Sequence, residues 1–305
     1  MKIRLILHGK AARDARVREA VGAVRADGHV VEVRVTWEAG DATRLAREAV
    51  ADAHRGVVEA IVAGGGDGTV NEVFAASLAA GPPEGCSFGV LPLGTANDFA
   101  RSTGIPVDDL TAAFRLIVDT PAHAIDVGSL NGRVFVNLVS GGFGSRVTVE
   151  TDPELKRRLG GLAYVVTGVT RFRELSASQG RFRAEGFEWE GSFLALAIGN
   201  GRQAGGGIVL CPEARIDDGL LDLTILPELV GDARLDAFTQ LFRQGASAID
   251  AVQVKTRSSW VEYDSHDELH INLDGEPVKT RHFRVECRPA ALRIHLGQTP
   301  LIGTA

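Results

Sequence analysis

A short apolar run, Ala60 to Ala63, passes directly into Gly64-Gly65-Gly66-Asp67-Gly68-Thr69-Val70-Asn71-Glu72. No other junction in the chain limits the fold as strongly. The run reads as a buried strand. Glycines after such a strand allow positive φ and a close approach of main chain to a ligand, so successive N–H groups can point at one set of phosphate oxygens. Val70, Val73 and Phe74 continue at helical spacing, and Asp67 or Thr69 can cap that helix with its N-terminus toward the same anion. The stretch lacks the Gly-Lys-Ser/Thr ending of a P-loop and the Gly-x-Gly-x-x-Gly spacing of a dinucleotide fold. One reading is a strand, phosphate loop and helix; the other is a plain glycine turn between strand and helix.

Residues 2–7 read as a further buried strand. Val17, Val21 and Val24 recur at helical spacing in a segment from about 11 to 25 that Gly28 ends. Residues 30–35 form the next strand, Asp41 can cap a helix with Leu45, Ala49 and Ala53 on its inward stripe, and residues 88–91 give a strand after the glycine unit. A helix over about 110–118 follows. Strands alternating with helices imply right-handed crossovers and a parallel sheet, whose ligands gather outside the carboxyl ends of its strands. Thr36, the Gly64 loop and Pro92 to Asn97 fall on that edge, so three loops converge on one cleft.

From about residue 125 the pattern changes. Residues 125–130, the turn Asn131-Gly132 and residues 134–139 read as a hairpin. Strand signals follow at 181–184, 193–198, 221–226, 252–256, 269–273 and 283–287. Helical stretches interrupt them at about 153–175, with a break at Gly160-Gly161, and at 232–242. This second part is expected to be mainly β, and a last strand at 292–296 either closes it or returns to the first part. Two domains suit a chain of 305 residues, which exceeds the usual single-domain size.

The formal net charge of −6 argues against nucleic acid as the principal partner. Cys86, Cys211 and Cys287 have no metal-type spacing and are odd in number, which suits a reduced cytoplasm. The chain opens on a strand with no cleavable leader, and no apolar run approaches the roughly 20 residues needed to cross a bilayer. Membrane contact is therefore expected to be peripheral and transient.

GGGDGTVNEV, starting at Gly64, and LPLGTANDFAR, starting at Leu91, together resemble the two signatures of the diacylglycerol kinase catalytic superfamily. GGDGT alone also occurs in NAD kinases and, with serine, in 6-phosphofructokinases; the second stretch points away from both. VRVTWEAGDA, SGGFGSR, IGNGRQAGGG, CPEARIDDGLLDL and NLDGEPV extend the likeness to the bacterial YegS-like lipid kinases, from about Leu5 to about Leu296. The resemblance implies an α/β nucleotide-binding domain over 1–124, with about 290–305 returning to it, a β-sandwich domain over 125–289 for lipid and metal, and an active site in the cleft between them. It implies ATP contacts from Thr36, Gly66, Asp67, Gly68, Thr69, Val70, Asn71, Glu72 and Thr95, with Asp67 acting on the phosphates through a water and Mg²⁺. It further implies a metal, Mg²⁺ or Ca²⁺, held by the Asp218 carboxylate with main-chain oxygens of Arg215 and Leu220, and Glu276 as general base. The implied activity is transfer of the γ-phosphoryl group of ATP to a hydroxyl of a lipid such as a diacylglycerol or phosphatidylglycerol, by a cytoplasmic enzyme of phospholipid metabolism. The alternatives are an NAD kinase-like phosphotransferase on a soluble acceptor and a non-catalytic nucleotide-binding regulator; retention of both Asp67 and Glu276 argues against the regulator.

Simpler structural readings stand beside these roles. Thr95, Asn97 and Asp98 can cap a short helix, Asp217-Asp218-Gly219 can be a β-turn opening a strand, and Asp274-Gly275 can be a hairpin turn beside an exposed Glu276. Gly85 to Gly89 fits the Gly-x-Ser-x-Gly hydrolase pattern, but its Ser87 precedes a strand instead of following one. His266, His270 and His282 do not share a zinc spacing. Lys156, Arg157 and Arg158 beside an apolar stretch suit either an anionic bilayer or a solvated helix face.

Overall fold

The computed structural model of the chain describes residues 1–142, 177–228 and 253–303. Its first part is built on four parallel strands, β1 (Lys2–Leu7), β2 (Val30–Val35), β3 (Ala60–Gly65) and β4 (Ser87–Pro92), in the order β2-β1-β3-β4. Every residue of β3 and β4 is buried, which explains why these strands read as unbroken apolar runs: a parallel sheet is covered on both faces. The cover comes from helices α1 (Ala15–Ala26), α2 (Asp41–His54), α3 (Asp67–Ala79) and α5 (Leu110–Asp119), with α1 packed on α5 and α2 on α3. A short helix, α4 (Asp98–Ser102), lies between β4 and α5.

Local chemistry moves two helix starts away from their expected places. The first helix begins at Ala15, not near 11, because a 3₁₀ turn (Gly9–Ala11) comes first and the Asp14 carboxylate then caps α1 by accepting from the Arg16 amide at 2.9 Å. Asp41 does not cap α2 from outside. Gly40, at φ 87°, holds that position, and Asp41 is the first helical residue. Its carboxylate reaches back to the amides of Trp37 (2.7 Å) and Glu38 (3.1 Å) and fixes the loop after β2.

The second part is antiparallel. β5 (Ala122–Leu130) turns through Asn131-Gly132, both at positive φ, into β6 (Arg133–Phe135). The expected hairpin strand stops there. After Val136 and Asn137 the chain joins different neighbours as β7 (Leu138–Gly142), which pairs with β9 (Phe187–Gly199) and β14 (Trp260–Leu273). β8 (Ser178–Ala184) pairs with the other ends of the same two strands, so β7 and β8 sit end to end in one slot between β14 and β9. β12 (Leu221–Pro227) and β13 (Val254–Ser258) extend the sheet beyond β9, and a small hairpin, β10 (Gln203–Ala204) with β11 (Ile208–Val209), stands apart. The helices expected at 153–175 and 232–242, with the basic run at Lys156, lie outside the described residues.

β15 (Glu276–His295) joins the two parts. Expected as two strands, it is one of 20 residues, with an irregularity between Arg288 and Leu292 where Ala290 takes φ 49°. It pairs with β14 over its first half, with β5 over its second, and at Ile294 with Phe88 of β4. One core gathers the first part with Leu292, Ile294 and Leu296. The other lies in the antiparallel part around Phe182, Phe193, Tyr263 and Phe283, whose rings meet at centroid distances of 4.9 to 5.3 Å. Among the described residues no helix is long and apolar enough to cross a membrane.

Candidate active site

Leu7 lies opposite both Val35 and Gly64, and Gly65 lies opposite Pro92. The loops that leave β2, β3 and β4 therefore emerge side by side at the carboxyl edge. Thr36 is anchored by its amide on the Leu7 carbonyl at 2.9 Å, and its hydroxyl accepts from the Gly9 amide at 3.1 Å. Gly66 is the residue before α3, and no side chain caps the helix. Neither Asp67 nor Thr69 plays that part. The amides of Asp67, Gly68 and Thr69 open the helix and have no intrahelical acceptor, which leaves an anion-receptive end.

One of the two expected reasons for the glycines does not hold. None of the glycines from Gly64 to Gly68 has positive φ; close packing against neighbouring protein atoms is what requires Gly65 and Gly66. A Cβ on Gly65 would meet Thr69 at 2.5 Å, and one on Gly66 would meet the Gly94 Cα at 3.0 Å. Gly68 faces open space. On the second loop, Asn97, at φ 51°, braces the turn by accepting from the Gly94 amide (2.8 Å) and donating to the Gly94 carbonyl (2.9 Å), leaving Thr95 exposed. Asn97 precedes α4 but makes no side-chain cap.

Asp67 Oδ1 accepts the Phe99 amide at 3.0 Å, which locks the first loop to the second. Val70 is buried in the core, so only its main chain can reach a ligand. Glu72 accepts from the Thr43 hydroxyl at 3.2 Å. Asn71, one helical turn after Asp67, has a buried Oδ1 without a hydrogen-bond partner.

In the antiparallel part, the turn Asp274-Gly275 joins β14 to β15, with φ values of 47° and 99°. Asp274 does more than turn the chain. Its carboxylate accepts from the amides of Val136 (2.7 Å), Asn137 (3.1 Å) and Leu138 (2.9 Å), and these bonds divert the strand between β6 and β7. Burial pushes its pKa up to about 6; the three amides pull it down, and the charge of Asp67 adds to the rise. Asp98 is raised as well, first by burial and also by Asp67, against the Gly206 and Gly207 amides that it accepts at 2.9 and 2.7 Å. Asp67 thus shares one region of negative potential with a loop of the first part and a turn of the second. Negative charge gathered around an anion-receptive helix end, together with the orphaned Asn71 oxygen, fits a divalent cation travelling with a phosphate. Glu276, the first residue of β15, is exposed, and its Oε2 lies 2.6 Å from Arg133 Nη2 on β6.

The Asp218 loop is a different case. Asp218 Oδ1 accepts from the amide of Leu220 at 3.1 Å, a local turn of the Asx type, and Oδ2 is bonded by Arg257 Nη2. Gly219, at φ 73°, donates to Asp126 Oδ2 at 2.7 Å, while Asp126 Oδ1 accepts from Ala290 at the β15 irregularity. Arg215 Nε lies 3.3 Å from Asp217. The loop keeps the main chains of Arg215 and Leu220 on either side of Asp218, but the one charged ligand of the expected cage already carries a cation. With the Arg257 guanidinium on its single carboxylate, the expected cage has no free charged ligand to offer a resident divalent ion. His282 pairs with Asp264 on the neighbouring strand.

Several residues of the site had no local signature. The clasp between Asp98 and Gly206-Gly207 and the reach of Asp274 to Val136, Asn137 and Leu138 connect stretches more than 100 residues apart. Arg133 is signalled only by following a turn. A hollow of about 520 Å³ lined by Gln179, Tyr263 and Glu268 lies away from all these residues.

The model of the diacylglycerol kinase catalytic domain matches residues 2–130, and that of the YegS C-terminal NAD kinase beta sandwich-like domain matches residues 137–296. A protein of Pseudomonas aeruginosa PAO1 named "Probable lipid kinase YegS-like" is 50% identical over 298 residues, spanning 97% of this chain and 94% of its own. One of the same name from Pseudomonas fluorescens is 50% identical over 309 residues, spanning 100% and 98%. A crystal structure of a diacylglycerol kinase from Bacillus anthracis str. Sterne superposes with a TM-score of 0.74 at 23% identity, covering 97% of this chain and 96% of that one.

Proposed function

The chain belongs to the YegS-like lipid kinase family, with its diacylglycerol kinase catalytic domain, and on that premise we propose that it transfers the γ-phosphoryl group of ATP to a hydroxyl of a lipid. In this reading the amides of Gly66 to Thr69 receive the phosphates, with Thr36 and Thr95 on the flanking loops and Asn71 and Glu72 behind them. Asp67 would act on the phosphates through a water and the magnesium that accompanies ATP, which would supply positive charge to the transferring group. Glu276 accepts the proton of the lipid hydroxyl, and Arg133 holds its carboxylate in place until the acceptor arrives. Residues 1–124 with 290–305 form the nucleotide half and 125–289 the acceptor half, a β-sandwich, so that nucleotide and lipid enter from opposite sides. The enzyme works at the membrane surface from the cytoplasm.

One observation supports the reading above the others: α3, the helix that the glycine loop opens, packs against β6 and β15, the strands that carry Arg133 and Glu276. The test is purified protein with labelled ATP against diacylglycerol, phosphatidylglycerol and a sphingoid base in mixed micelles, with NAD as a soluble acceptor. A labelled lipid is the expected product. Labelled NADP with no labelled lipid would replace the proposal by a soluble phosphotransferase, and ATP binding without turnover on any acceptor would leave a regulator.

A further inference from the structure

Strand pairing dictates the cation at the Asp218 loop. In the antiparallel register of β12 and β13, Arg257 stands directly opposite Asp222, and its Nε lies 3.2 Å from Asp222 Oδ2. Cross-strand neighbours of opposite charge are held together by the ladder itself. Asp218 belongs to the turn that enters β12, and its side chain is only 19% exposed. The guanidinium is therefore delivered between the two carboxylates by the backbone, using Nε for one and Nη2 for the other. A planar fork with fixed donors suits this double task better than a flexible ammonium.

The surroundings call for a positive charge. Asp222 is buried, with Arg257 as its ion-pair partner. A hollow of about 170 Å³, lined by Glu213, Asp222, Thr224, Lys255 and Arg257, opens beside the pair, so an ion from solvent has a way in. Without a cation, two partly buried carboxylates within reach of one guanidinium would repel one another in a medium that screens them poorly.

We infer that Arg257 is the built-in cation of the Asp218 loop: it supplies the charge that a divalent ion would otherwise supply there, and such an ion enters only by displacing it. Loop geometry, and with it the Gly219 to Asp126 bond that ties the loop to the β15 irregularity, is then independent of divalent ions in the native chain.

The test uses thermal unfolding and calorimetry on the full chain without nucleotide, in EDTA and with Ca²⁺ or Mg²⁺ titrated in. The wild type should unfold at the same temperature with and without the ion. Arg257→Gln should unfold several degrees lower in EDTA, recover with Ca²⁺, and bind Ca²⁺ at least 10-fold more tightly than the wild type. Adding Asp218→Asn to that variant should abolish the gain, which separates this loop from Asp67. Arg257→Lys keeps the charge and should remain indifferent to the ion, and it serves as the working variant should Arg257→Gln not fold. Wild-type protein that loses stability in EDTA and regains it with Ca²⁺ through Asp218, an Arg257→Gln variant no more responsive than wild type, or an ion-dependent Arg257→Lys would each overturn the inference. None of these readouts depends on kinase activity, so failure of the lipid kinase reading and failure of this one are distinguishable.

Discussion

Gly94 and Gly66 touch backbone to backbone: a Cβ on Gly94 would lie 2.5 Å from the Gly66 Cα and 2.8 Å from Asn97 Oδ1. Two loops from different strands are thereby pressed into one surface, with Asp67 and Phe99 bonded across it. Gly94→Ala should force the loops apart, lowering both thermal stability and ATP affinity, the latter about 10-fold or more. Gly68→Ala has open space around its new methyl, so unfolding should move by no more than about 0.5 kcal/mol while ATP affinity falls, because only the ligand can meet it. Calorimetry with ATP and thermal melts on both variants make the comparison; equal ATP affinity in both and wild type would remove these loops from the nucleotide site.

Glu276→Gln keeps size and removes basicity. Turnover should drop about 100-fold or more with ATP binding nearly intact. Arg133→Ala leaves Glu276 without its 2.6 Å partner and should lower kcat several-fold with little change in KM for ATP. The ion pair is exposed and contributes little to stability, so the melting temperature should stay within a degree or two of wild type. Steady-state assays with varied ATP and lipid check both variants; full turnover in Glu276→Gln would remove the base.

Asp274→Ala would strand the amides of Val136, Asn137 and Leu138. Even after relief of the buried charge, stability should fall by at least about 2 kcal/mol, since several donors lose a carboxylate acceptor at once. Hydrogen exchange at those amides should accelerate selectively, and unchanged protection there would show that the turn is held by something else.

The Asp41 carboxylate is held down to about pKa 2 by Arg44 and by the amides of Trp37 and Glu38, against an ordinary value of 3.8. A depressed carboxylate contributes stability that is complete above the unfolded value, near pH 4, and lost as pH falls through the folded value, near 2. Asp41→Asn should therefore melt lower than wild type at pH 7, with the gap closing between about pH 4 and pH 2. Melting curves across that range test the sign; a gap that persisted at pH 2 would mean that the cost comes from packing and not from charge.

The parallel half was legible because its strands are buried on both faces and its helices carry one apolar stripe, signals that survive in sequence alone. Long strands were not. β14 and β15 alternate charged and apolar residues along half-exposed faces, and the irregularities between Asp264 and Leu269 and between Arg288 and Leu292 interrupt the period, so each reads as separate short pieces. The glycine loop was found through its composition, but its reason was not, because the Gly94 backbone that excludes a Cβ at Gly66 comes from another strand. Asp274 and Asp98 read locally as a turn former and a cap, and Arg257 falls just past the strand expected at 252–256. Their partners become visible only once pairing brings distant stretches together.

The placement of β15 bears on how the protein is made. Residues 276–295 leave the ribosome after every other strand described, yet they cover the flank of β4 and fill the gap between β5 and β14. Until they emerge, the nucleotide sheet and the antiparallel sheet both keep open edges, and such edges recruit other nascent chains. Folding of both halves should then be gated by the same late event, and a chain halted just before residue 276 should be a chaperone client with neither half finished.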